Sequence, residues 1–222
     1  VLKGVSELQI SGQQVDWDSI NKMEGLRALT TDGLYEVARV DFRALSNLHY
    51  YSGHWDGVGT QTLDESLSLR ALSITGFTDT DLMSLRRLGA LEYLCLMRPL
   101  RLSGLRGVDE LQRLKLLSVN GAAKLTDIDS ALSSSSIKAL EFVVCNRIHW
   151  LPQRINETIH ELTLDCKAVE SLRPLLQWKN LQRLRFSCNI DDKNSALLLD
   201  HRALRFCRFR NRRGFSATFA RC

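Results

Sequence analysis

L-R-A-L-S-I-T-G-F-T-D-T-D-L-M-S-L-R-R-L-G-A-L-E-Y-L-C-L, residues 69–96, holds one complete structural unit and the start of the next. Leu69, Leu72 and Ile74 set a pattern that returns 22 residues later at Leu91, Leu94 and Leu96. Between them Leu82, Leu85 and Leu88 recur at every third position. The first spacing has the period of a short strand, and the second suits a turn-rich or 3₁₀ return segment. A chain that regains its phase in this way is one turn of a solenoid. Such a turn cannot bury its leucines alone, so its neighbours must repeat it.

Outward from this unit the same beat covers the chain. Strand-opening positions fall at Val5, Leu26, Leu45, Leu69, Leu91, Leu114, Ile137, Ile159, Leu181 and Leu204. Three residues on, the second core position reads Leu8, Leu29, Leu48, Leu72, Leu94, Leu117, Leu140, Leu162, Leu184 and Cys207. The third, two further on, reads Ile10, Thr31, Tyr50, Ile74, Leu96, Val119, Phe142, Leu164, Phe186 and Phe209. Twenty-eight of these thirty places are apolar, which fixes the fold class as an α/β-type repeat solenoid. About ten short parallel strands are expected on its concave face, with 3₁₀, turn and short-helix segments behind them. Residues 1–222 read as one domain and 210–222 as its C-terminal cap. Trp17, Trp150 and Trp178 fall on the convex pattern and are expected to fill the wall, leaving Trp55 unassigned.

Composition bounds the function. Hydrophobic residues at 44% and charged residues at 25% describe a well-packed soluble protein, and no apolar run is long enough to cross a membrane. The opening V-L-K-G-V-S-E-L lacks the charged start and apolar core of an export signal. The first residue is Val1, which leaves open a segment removed before it. Six cysteines without a C-x-x-C pair argue against structural zinc, although Cys166 and Cys188 share one place in adjacent repeats. Reduced thiols and a cytoplasmic location are expected. Asn156-Glu157-Thr158 is a glycosylation sequon of the kind chance supplies. No motif for hydrolysis, metal-assisted chemistry or phosphate cradling is present, so neither enzyme activity nor a cofactor is expected. His49 and His54 lie near each other around Tyr51 and Trp55; the stretch reads better as an extended binding loop than as a metal nook.

Side chains alternate along a strand, so the residues between the core leucines face the concave surface. Ten strands about 4.8 Å apart give a surface roughly 40 Å long. Its middle is expected to carry Tyr93, Cys95, Met97, Leu116 and Val143, a cluster that marks a partner site unless neighbouring long side chains cover it. Beyond it stand the acids Glu141, Glu161 and Asp165, then Arg183, Arg185, Arg208 and Arg210. Tyr51, Trp55, Tyr93, Met97, Leu116, Val143, Arg183, Arg185, Phe206, Arg208 and Arg210 are the candidate partner-binding residues. Charge is uneven along the chain: residues 1–111 carry a net −4 and residues 112–222 a net +9. A protein partner with an acidic surface fits this balance. A nucleic-acid-binding solenoid using the basic C-terminal repeats is the alternative.

The chain resembles the small stand-alone leucine-rich-repeat proteins of bacteria over nearly its whole length. The resemblance rests on N-L-H-Y-Y-S-G-H-W (47–55), on repeats such as L-K-L-L-S-V-N-G-A-A-K-L-T-D-I (114–128), and on the closing L-R-F-C-R-F-R-N-R-R-G-F-S (204–216). Such repeats place Asn or Cys at the ninth position, where it bonds the turn backbone. Here that column reads Gln13, Leu34, Gly53, Phe77, Pro99, Ala122, Cys145, Lys167, Asn189 and Arg212, so the ladder is mostly missing. The resemblance implies a protein–protein interaction module. In some relatives it implies an immunity protein that neutralises a cognate toxin, and a targeting adaptor is a further alternative.

Overall fold

Leu72, Leu94 and Leu117 share one phase of successive repeats, and hydrogen bonding between strands converts that phase into a stack. A computed structural model describes residues 4–12, 15–31, 39–55 and 62–209. Ten strands form one sheet: β1 (Glu7–Gln9), β2 (Ala28–Thr30), β3 (Tyr50–His54), β4 (Ala71–Thr75), β5 (Tyr93–Met97), β6 (Leu116–Asn120), β7 (Ala139–Val143), β8 (Glu161–Leu164), β10 (Arg183–Phe186) and β12 (Phe206–Phe209). All pairs are parallel, and each strand lies beside the strand of the next repeat, as the sequence period requires. The short pair β9 (Ala168–Val169) and β11 (Asn189–Ile190) forms a second sheet where the turns of adjacent repeats meet.

The inward columns are nearly sealed: Leu72 ↔ Leu94 ↔ Leu117 and Ile74 ↔ Leu96 ↔ Val119 stand in register and buried. Each fully buried leucine contributes about 1.5–3 kcal/mol. Ion pairs along the outside, such as Arg87–Asp64 and Arg106–Asp81 at 3.2 Å, are largely exposed and contribute about 0–1 kcal/mol each. The leucine columns therefore hold the stack.

The third repeat departs from the expected phase. Leu45 was the predicted opening, with Tyr50 inward and Tyr51 outward. Instead Tyr51 pairs with Leu29 and Leu72 and is 3% exposed, while Tyr50 is 39% exposed. The opening position is Leu48, which makes the intervals from Leu26 and to Leu69 22 and 21 residues. Leu45 moves to the buried convex wall. The physical reason lies in three neighbouring residues. The Tyr51 ring meets Phe42 edge-on at 5.1 Å, and its hydroxyl lies 3.2 Å from the Thr31 Oγ1. Gly53 supplies the space, because a Cβ there would collide with the Tyr51 phenol and with Thr31 Oγ1. Thr31, the polar exception among the core columns, is thus the hydrogen-bonding end of an inserted phenol.

The convex side carries one-turn helices, α1 (Trp17–Ile20) and α2 (Asp129–Ser133), and 3₁₀ segments at Leu63–Glu65, Met83–Leu85, Val108–Glu110, Arg173–Gln177 and Ala196–Asp200. Before β8 the back carries no helix, and Asn156 does the joining. Its Nδ2 donates to Leu132 O at 3.0 Å, and its Oδ1 accepts from Thr158 N at 3.0 Å and Ile159 N at 2.8 Å. The sequon asparagine is therefore a buried structural residue, 3% exposed. Trp17 and Trp178 fill the wall as expected, but Trp150 is 44% exposed and Leu151 takes the inward place beside it.

The turn column also shifts. Phe77, Pro99, Ala122 and Cys145 are buried at the expected ninth position, whereas the next two repeats bury Cys166 and Cys188 rather than Lys167 and Asn189. Gly76, Arg98, Gly121 and Val144 stand before these four with positive φ of 76°, 48°, 73° and 54°, and the next two repeats do without that left-handed residue. Cys145 Sγ lies 3.4 Å from Val119 O, as a rung of such a ladder would. The expected cap, 210–222, lies outside the described residues, as do Gln13, Leu34 and the stretch 56–61.

Candidate functional site

Outward side chains of the sheet stand in three columns. With the third repeat rephased, the first reads Ala28, Tyr50, Ala71, Tyr93, Leu116 and Ala139 across six successive strands. Only Glu7 precedes it in β1, and the charged residues Glu161 and Arg183 follow it. The tyrosines are the tall members, with Tyr93 48% exposed, and Ala71 between them forms a low floor. Met97 and Val143 flank Asn120 in the third column and are half-buried. The strip spans five strand steps, about 24 Å.

Beyond it the surface turns charged. Arg183 Nε pairs with Glu161 Oε2 at 3.5 Å, both about half exposed. The Phe206 ring, exposed on the same face, carries the Arg183 and Arg185 guanidinium carbons at 5.3 and 5.4 Å from its centroid. Arg185 stands in register with Arg208.

These positions bring most of the expected residues to one face: Tyr93, Met97, Leu116, Val143, Arg183, Arg185, Phe206 and Arg208 all lie outward on it. Tyr51 does not, since its ring is in the core; Tyr50 occupies the surface in its stead. Trp55 is half-buried, meeting Phe77 at 4.7 Å, with its indole N–H donating to Thr78 Oγ1 at 3.0 Å. That packing sets it against Phe77 of the buried turn column. Arg210 lies outside the described residues. Sequence reasoning missed Tyr50, and the signal that would have found it is the evenness of repeat length.

Other chemistry is sparse. Among the described residues no group of three or more His, Cys, Asp or Glu is placed to hold a metal ion. His54 stands outward beside Thr75, while His201 is buried and its Nε2–H donates to Leu175 O at 3.0 Å. Cys95, Cys145, Cys166 and Cys207 are free thiols, Cys188 is buried, and Cys222 lies outside the described residues. Burial pushes the Cys145 and Cys207 thiols up to about 11, which opposes the thiolate that nucleophilic chemistry needs. No described helix is long and apolar enough to cross a membrane.

No family model matches the sequence, and no curated protein matches it. Among solved structures the chain is similar to a leucine-rich-repeat protein of Leptospira interrogans, with a TM-score of 0.59 and 15% identity over 93% of this chain and 49% of that one. It is also similar to the plant peptide hormone receptor RGFR1, solved in complex with RGF2, with a TM-score of 0.53 and 17% identity over 92% of this chain and 34% of the receptor. The chain thus spans about half and about a third of the lengths it matches. At these identities the likeness carries the leucine-rich-repeat fold and nothing further.

Proposed function

We propose that the chain is a binding module that receives another protein on its concave sheet. The observation that carries this reading is the apolar outward column from Ala28 to Ala139, with Tyr50 and Tyr93 standing proud of it. An outward sheet face gains nothing in folding from an unbroken apolar strip, and exposed apolar strips of this kind mark partner surfaces. A structurally similar plant receptor was solved with a partner bound, which agrees with the reading. The arginines at the C-terminal end supply the polar rim that such interfaces carry. An immunity-type role, in which the partner is a toxin whose surface is occluded, is the narrower form of this proposal and rests on sequence resemblance alone.

The test is titration of the affinity-isolated partner against the parent chain, Tyr93→Ala and a convex variant, Leu199→Ser. Loss of a central aromatic anchor should weaken the complex by about 2 kcal/mol, while the convex change leaves it intact. Equal binding by all three rejects the concave face.

A further inference from the structure

Resting on the concave-face reading above, we infer that the partner presents an extended segment bearing a basic side chain and, about 10 Å beyond it, a carboxylate side chain, set to meet charges the fold leaves unspent. The acids are Glu141 and Asp165, and the bases are Arg185 and Arg208. Arg185 and Arg208 are cross-strand neighbours in register, an arrangement in which like charges repel. Among the described residues neither has an ion pair, whereas the charge of Arg183 is answered by Glu161. The Phe206 ring under Arg185 holds that guanidinium in place through its π face. This contact consumes none of the N–H donors that a carboxylate would take in a forked pair.

Glu141 shares the column of Arg185 but stands two strands away, paired through Thr163. That separation is about 10 Å, too far for the two to neutralise each other. Asp165 follows β8 directly and likewise has no ion pair among the described residues. The fold therefore keeps two acids and then two arginines on one face, the arginines facing each other in register. A uniformly acidic partner is repelled by Glu141 and Asp165, and a uniformly basic one by the arginines. An apolar, basic, acidic order running from Tyr93 toward the C-terminal end satisfies all of them. An extended segment advances about 3.3 Å per residue and alternates its faces, so basic and acidic side chains that meet one surface are about two or four residues apart.

The experiment is selection from a displayed library of random peptides of about twelve residues, long enough when extended to cover both zones. The baits are the intact chain, Tyr93→Ala, the double variant Arg185→Ser/Arg208→Ser, and Glu141→Lys. Peptides selected by the parent should carry Lys or Arg and, about two or four residues away, Asp or Glu. Their affinity should fall on the order of tenfold for the double arginine variant, and Glu141→Lys should select an acid where the base stood. Peptides that need Tyr93 yet lack the charge order, or are unaffected by the arginine variant, overturn this inference and leave the concave-face reading standing. Failure to enrich any peptide that needs Tyr93 overturns both.

Discussion

Tyr93 and Leu94 are chain neighbours with opposite duties, since the pleat sends one side chain out and the next in. Leu94→Ala should cost about 2–5 kcal/mol of stability by opening a cavity between Leu72 and Leu117. Tyr93→Ala should leave the melting temperature nearly unchanged, because its ring is outside the core. Calorimetry on both variants separates the roles. Gly53→Ala should destabilise by about 1–3 kcal/mol, because the added methyl strikes the inserted Tyr51 phenol. A Gly53→Ala chain that melts with the parent would mean the phenol lies elsewhere. The thiols give a pH signature. Burial raises the folded-state values of Cys145 and Cys207 from 9.0 to about 11, so the folded chain keeps protons that the unfolded chain releases. Their contribution is full below pH 9 and is lost as pH rises from 9 to about 11. Urea midpoints over this range should fall, and replacing both cysteines with Ala should flatten the decline.

At the level of elements, the strands were legible because a strand buried on one face writes its period into the sequence. Leu69 to Leu96 gave phase, repeat length and parallel stacking together. The third strand was misread for a physical reason: Leu45, Leu48 and Tyr51 are spaced to open the pattern at either leucine. The choice depends on whether Tyr51 finds a space, and that space is made by Gly53 and Thr31 from two different repeats. A single strand does not record it. Trp150 was misplaced likewise, since the helix-free back before β8 puts Leu151 inward, and that segment is tied down by a buried asparagine rather than by an apolar period. Asn156→Ala should cost about 1–3 kcal/mol for each backbone group it strands, read as a lower denaturant midpoint. Asn156→Asp keeps the acceptor for Thr158 and Ile159 while losing the donor to Leu132, and should fall between Ala and the parent if acceptance is the larger part.

Across the whole molecule, function depends on which face is apolar and how charge is dealt along it. The chain divides into a net −4 and a net +9 half, but on the sheet the change of sign comes late, between Glu141 and Arg185. The sequence made the middle and basic ends of the site legible; the full strip emerged only when the third repeat was rephased and Tyr50 came to the surface. The nucleic-acid alternative has its own signature, because phosphate contacts release counterions and make affinity fall steeply with salt. The concave-face account places the apolar column at the centre of a protein interface. The most direct measurement installs a photo-crosslinking amino acid singly at Tyr50, Tyr93 and Leu116 and, on the convex side, at Ile155 and Leu199, then irradiates each chain with the isolated partner. The account predicts crosslinks from the first three positions and none from the last two. Crosslinks from Ile155 and Leu199 with silence at Tyr93 and Leu116 would contradict it.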